Sequence, residues 1–159
     1  MFAPKKILVP TDFSEYSDAA LKYAIDVARQ RGAKIYLLHV IGLIQTCAVD
    51  YCFDQPTLDA LEKKSASTAE DMMKKQLELF PEAKSVDITT DVRKGVPYEE
   101  ILNEQKAKDI DLIVMSSHGK TGLLGHVLGS VAEKVMKKAA CPVLLIRQPV
   151  HGEPGMEKK

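Results

Sequence analysis

The chain reads as an α/β protein, a doubly wound open sheet of five parallel strands with about four helices in the strand order 3-2-1-4-5. Three observations predict this. Short continuous apolar runs, such as LIVM at 112–115, suit strands buried on both faces. Between them lie segments whose apolar residues recur at helical spacing. Strand and helix then alternate with short crossovers along the chain, the pattern of a parallel sheet.

The first strand spans residues 5–9 and ends at Pro10. Residues 11–18, TDFSEYSD, are rich in helix-starting types, and Ala20, Leu21, Ala24, Ile25 and Ala28 carry the helix to a stop at Gly32. Residues 35–41 make a second buried strand. A mixed segment, 42–55, holds Cys47, Tyr51, Cys52 and Phe53. Pro56 fits the first turn of a long polar helix to about Phe80, with Leu58, Leu61, Met72, Met73, Leu77 and Leu79 as apolar members and the methionines as core gap-fillers.

Residues 86–92 alternate apolar and polar, as a half-exposed strand at a sheet edge does. Pro97 starts a third helix that carries Ile101 and Leu102 inward. Residues 109–111 lead into the fourth strand, 112–115. The last helix opens at Ser130, where Glu133 completes a capping-box pattern ahead of Val135, Met136 and Ala139. Cys141 and Pro142 precede a fifth strand, 143–146. Residues 148–159 read as a flexible tail, so that 1–147 is expected to be a single domain.

Composition narrows the function. The 159 residues, 45% hydrophobic and 28% charged, suit one ordinary globular domain. Lys plus Arg and Asp plus Glu both number 22, and the pI is near 6.9, so no basic field draws nucleic acid. No apolar run approaches a membrane span and no signal segment precedes the first strand, which predicts a cytoplasmic protein. Three cysteines without a CxxC indicate neither a disulfide framework nor a zinc site. A redox pair at Cys47 and Cys52 ranks last, because Thr46, Asp50 and Asp54 supply nothing to depress a thiol pKa.

The stretch 116–130, SSHGKTGLLGHVLGS, lies between a buried strand and a helix start. Glycines at 119, 122, 125 and 129 permit close backbone approach, so N–H groups can converge on an anion at the positive end of the helix dipole. The spacing is neither Walker A nor GxGxxG, which argues against a P-loop kinase. In a sheet of this order, ligands bind where the winding reverses, between strands one and four. Pro10, Thr11 and Asp12 then face the glycine loop.

ILVPTDFS at 7–14, LLHV at 37–40, IVMSSHGKTGLLGHVLGS at 113–130 and CPVLLIR at 141–147 together resemble the universal stress protein family, over residues 5–147. The resemblance implies a Rossmann-like fold, often a homodimer formed through the last strand, and in one branch a bound ATP. That branch's pattern, G-x2-G-x9-G-[S/T], falls on Ser116, Gly119, Gly129 and Ser130, and three of the four match. At Ser116 the pattern has glycine, near the ribose. A serine there crowds the sugar or strains a positive φ, or else donates a hydrogen bond to it.

By position, the resemblance implies that Pro10, Thr11 and Asp12 contact adenosine, with Asp12 reaching the ribose or a Mg2+ ion. Val40 lies beside adenine. Met115, Ser116, His118 and Gly119 line the ribose and phosphates, and Gly129, Ser130 and Val131 donate to the phosphate tail. On its own chemistry, Asp12 reads equally as a turn or helix cap, and His118 as a backbone hydrogen-bonding group. His39 reads as a buried strand residue, and His126 and His151 as solvated. Glu133 opposes a phosphate at this helix start unless it folds back onto the cap, and Lys120 offsets it. The expected protein is an ATP-binding stress-response regulator, with ADP or AMP as competing ligands and little or slow hydrolysis or autophosphorylation, since no complete catalytic set is present. The alternative is a dimeric scaffold of the same family whose site Ser116 has narrowed. No nucleic-acid or membrane partner is expected.

Overall fold

The computed structural model describes residues 2–42, 54–119 and 128–147. Its elements are β1 (Lys6–Thr11), α1 (Glu15–Arg31), β2 (Lys34–Gly42), α2 (Gln55–Glu78), a 3-10 turn (Pro81–Ser85), β3 (Ile88–Gly95), α3 (Pro97–Lys108), β4 (Leu112–Ser116), α4 (Ser130–Lys138) and β5 (Val143–Ile146). The strands form one all-parallel sheet in the order β3-β2-β1-β4-β5, the arrangement expected, with β3 at one edge. Among the described residues no helix is long and apolar enough to cross a membrane.

Side chains of successive strand residues point to opposite faces, and both faces are covered. Ile7 and Val9 pack with Leu21, Ile25, Ile35, Leu37, Met73 and Val114 under α1 and α2. Leu8 packs on the other side with Leu38, Ile101, Ile113, Met115 and Val135 under α3 and α4. This is why residues 7–9 of β1 and 112–115 of β4 are apolar without interruption, whereas the edge strand β3 sets only Ile88 and Val92 against the core and, in place of the alternation expected, leaves Thr89, Thr90 and Asp91 all exposed.

The helices take their ends from local chemistry. Ser14 caps α1 by accepting from the Ser17 N–H at 3.2 Å, and Gly32 closes it at φ 68°, a left-handed conformation that costs glycine little. Asp54 caps α2 at the Thr57 N–H, and the Thr57 hydrogen bonds hold its carboxyl below the usual range.

Several expectations are corrected. β1 runs past Pro10 to Thr11, keeping register with β2 as far as Thr11 and His39. Its register with β4 covers only Ile7 with Leu112 and Leu8 with Ile113. Beyond Leu8 the two strands part, and Pro10, with no N–H to give to a ladder, falls in that gap. Met72 is 38% exposed and Leu79 60%, so Met73 alone of the two methionines fills the core. The outer half of α2 stands off the sheet, and the inner half buries Ala69, Met73 and Gln76. On α3, Leu102 is only half-buried, and Glu104 and Gln105 go inside instead. Glu104, 1% exposed, is held by Arg93 of β3 at 2.5 Å, off the line of a hydrogen bond, and Arg93 also reaches Glu100.

Candidate nucleotide-binding cleft

The parting of β1 and β4 opens a cleft of about 220 Å³ at the carboxyl ends of the strands. Every site residue named from the sequence lines it. Pro10, Thr11 and Asp12 come from the end of β1, and Val40 from β2. Met115, Ser116, His118 and Gly119 come from β4 and the turn after it, and Gly129, Ser130 and Val131 from the start of α4. Sequence reasoning missed Leu38, His39, Ser117 and Ala132, and also Pro97 and Ile101 of α3. The α3 pair had a signal: a helix that follows a parallel strand begins at that strand's carboxyl end, where such clefts lie. Lys120, Gly122, Gly125 and His126 of the glycine stretch lie outside the described residues, as do Cys47, Cys52, His151 and the tail 148–159.

The turn after β1 is heavily determined. Asp12 Oδ1 accepts from the Ser14 N–H at 3.0 Å and from the Ser14 hydroxyl at 2.5 Å. Phe13 sits at φ 64°, a region bulky side chains rarely adopt and one that costs on the order of 1–3 kcal/mol. Three contacts hold it there. The Phe13 N–H donates to Thr11 Oγ1 at 3.1 Å, its ring lies 4.4 Å from the His39 ring, and His39 Nδ1 donates to the Thr11 carbonyl at 2.9 Å. His39 is therefore a half-buried tie between β1 and β2, rather than the buried strand residue expected.

Thr11 brings its backbone to the cleft and turns its hydroxyl away from it. Thr11 Oγ1 donates to Gln76 of α2 at 2.9 Å and lies 3.1 Å from Ser17 Oγ, all three residues being buried. Gln76 thus joins the site's supporting structure from a helix that sequence reasoning did not connect to it.

Opposite Asp12, two glycines are required by close approach. A Cβ on Gly119 would stand 2.8 Å from Asp12 Oδ2, and one on Gly129 would stand 3.0 Å from the Ser117 carbonyl. The Gly129 N–H donates to that carbonyl at 2.8 Å, and the Ser117 N–H donates to Ile146 of β5, which pins the start of α4 to the end of β4. His118 takes a side-chain partner, Ser117 Oγ at 2.9 Å, and its ring lies 5.8 Å from Tyr16 of α1.

The capping box expected at Ser130 does not form. Gly129 is the N-cap, it has no side chain to cap with, and Ser130 is the first helical residue. Glu133 reaches forward to Lys137 at 2.5 Å instead of back to the cap, and that ammonium holds its carboxyl below the usual range. The first turn of α4 therefore faces the cleft with no side-chain cap from the described residues on its N–H groups, the arrangement in which a helix start receives an anion. Ser116 ends β4 in extended backbone, registered with Ile146, so the strain feared for a serine there does not arise; among the described residues only Phe13 and Asp109 are non-glycine residues at positive φ. Its side chain remains at the cleft.

No three of His, Cys, Asp or Glu gather at one point among the described residues. Asp12 offers a single carboxylate, so a Mg2+ ion there would need phosphate oxygens and water to complete its shell.

The model of the Universal stress protein family matches residues 4–147. Universal stress protein MJ0531 of Methanocaldococcus jannaschii is 38% identical over 145 residues, covering 91% of this chain and 83% of the relative. The solved structure of MJ0577, from the same organism, superposes with a TM-score of 0.78 at 31% identity, covering 94% of this chain and all of that one. Two more distant structures share the fold and were solved as complexes: a universal stress protein with cAMP, at 19% identity, 92% and 98% coverage and a TM-score of 0.67, and one from Archaeoglobus fulgidus with dAMP, at 23%, 92% and 100% coverage and 0.56.

Proposed function

Given that the chain belongs to the universal stress protein family, we propose that its cleft binds an adenine nucleotide, ATP before ADP or AMP, and that occupancy regulates a homodimeric stress-response protein in the cytoplasm. The observation that carries this reading is the pairing of an uncapped helix start at Gly129 and Ser130 with Gly119 and Asp12 across the gap between β1 and β4. The cAMP and dAMP complexes of the same fold are in keeping with it. A cleft near 220 Å³ is below the ~300–1,000 Å³ usual for a whole small-molecule ligand, so it encloses base and sugar while the phosphates run out past the exposed Ser130.

In this reading Leu38, Val40 and Met115 pack on the base, and the N–H groups at the start of α4 receive the phosphates. Asp12 takes a ribose hydroxyl or shares Mg2+ with the phosphates. Little or slow hydrolysis follows, because among the described residues no side chain at the cleft is set as a base for water with a second group to stabilise the leaving phosphate. Residues 1–147 act as one domain. The dimer forms through β5, whose four apolar residues lie half-exposed at the sheet edge.

A second reading has its own observation: the Ser116 side chain occupies the cleft wall where the ATP-binding pattern has none, which favours a scaffold that works through dimer contacts without nucleotide. Isothermal titration of Mg·ATP, after denaturing a sample to look for carried-over nucleotide, separates the two. Micromolar binding that Gly129→Val abolishes supports the nucleotide reading, since that side chain meets the Ser117 carbonyl. No binding and no co-purified nucleotide overturns it in favour of the scaffold.

A further inference from the structure

Gln76 is 5% exposed, on the inner face of α2, and all its polar atoms are engaged. Oε1 accepts from Thr11 Oγ1 at 2.9 Å, and Nε2 donates to Asp18 Oδ1 at 2.6 Å and to Ser17 Oγ at 3.4 Å. The amide has one orientation, because reversing it sets a carbonyl oxygen against the Asp18 carboxylate. That orientation decides where the Thr11 proton goes. With its hydrogen committed to Gln76, the Thr11 oxygen presents a lone pair to the Phe13 N–H.

The Phe13 bond in turn maintains a backbone conformation that a phenylalanine does not choose alone. Asp12 lies between these two residues, with one oxygen on Ser14 and the other against Gly119. A helix 65 residues away in sequence thereby fixes the direction of the carboxylate at the mouth of the cleft.

We propose that Gln76 is a positioning residue for nucleotide binding, acting through the Thr11 hydroxyl on the Phe13 turn and so on Asp12. This rests on the nucleotide reading of the cleft. Removing the amide leaves the Thr11 proton to turn to Ser17 Oγ, 3.1 Å away, so the hydroxyl re-aims, the lone pair directed at the Phe13 N–H is no longer held in line, and the carboxylate loses its fixed bearing.

The test uses Gln76→Met, close in length and volume, with two readouts: Mg·ATP affinity by titration and hydrogen exchange at the Phe13 and Ser14 amides. Binding is expected to weaken about three- to tenfold, the range of one lost buried hydrogen bond, with faster exchange at both amides. Thr11→Val is expected to reproduce this, Thr11→Ser, which keeps the hydroxyl, to leave exchange at the two amides slow, and the double variant Thr11→Val/Gln76→Met to be no weaker than Thr11→Val alone. A merely structural Gln76 lowers the melting temperature and leaves affinity and the two amides unchanged, which overturns the proposal. Wild-type protein that binds no Mg·ATP sinks the nucleotide reading instead, and exchange at Phe13 and Ser14 in Gln76→Met then decides the positioning by itself.

Discussion

Gly119→Ala is the substitution whose consequence follows most directly from the structure. The new Cβ would stand 2.8 Å from Asp12 Oδ2, where ordinary contact begins at 3.4 Å, so the carboxylate must retreat by the difference, about 0.6 Å. It is not free to do so without loss, since its other oxygen holds the Ser14 N–H and the Ser14 hydroxyl at 3.0 and 2.5 Å. Weakening two part-buried hydrogen bonds to a charged group costs roughly 1–3 kcal/mol. For a chain of this size each kcal/mol lowers Tm by about 2–4 °C, so a fall of roughly 2–12 °C is expected in a calorimetric or CD melt. The decisive control is the cycle with Asp12→Ala. If the clash with Asp12 is the cause, Gly119→Ala in that background is nearly neutral, and an equal loss in both backgrounds refutes the reasoning.

Arg93→Met leaves the buried Glu104 carboxylate without its guanidinium, and one-sided removal of a buried pair costs about 3–5 kcal/mol. Chemical denaturation is expected to show that loss, with most of it recovered in Arg93→Met/Glu104→Gln. Burial pushes the Cys141 thiol up, with Asp111 adding to it, so Cys141 is expected to alkylate more slowly than a free cysteine near neutral pH; peptide mass spectrometry after iodoacetamide reads this, and labelling at the free rate contradicts it. The Lys137 ammonium holds the Glu133 carboxyl below the usual carboxylate value in the fold, so its contribution is present at neutral pH and is lost as pH falls through the depressed pKa. Melts of wild type and Glu133→Gln are therefore expected to differ slightly at pH 7 and to converge at acid pH.

Much of the site was legible because it depends on where a chain of alternating strands and helices must place its loops. Continuous apolar runs mark strands buried on both faces, and their order sets the winding reversal between β1 and β4. That is enough to bring Pro10, Thr11 and Asp12 to the glycine stretch. What was not legible concerns which of two chemically equal partners a side chain takes. Ser130 and Glu133 spell a capping box, yet Glu133 also lies four residues before Lys137, on the same helix face, and pairs there, and the cap passes to Gly129. Met72 and Met73 are indistinguishable as residue types, and the rotation of α2 buries one and exposes the other.

The amino-acid sequence by itself determined the parallel sheet and the end of it at which the loops after β1 and β4 meet, because those follow from periodicity and from the doubly wound arrangement that short right-handed crossovers favour. Tertiary structure alone decided that the Thr11 hydroxyl turns toward Gln76, that Phe13 is held at positive φ against His39, and that Asp12 is the group whose approach leaves no room for a Cβ at Gly119. Each of these depends on atoms that meet across 26 to 107 residues of chain, counted from Phe13 to His39 and from Asp12 to Gly119. Such meetings are set by how whole elements pack, and no local pattern of residues encodes them.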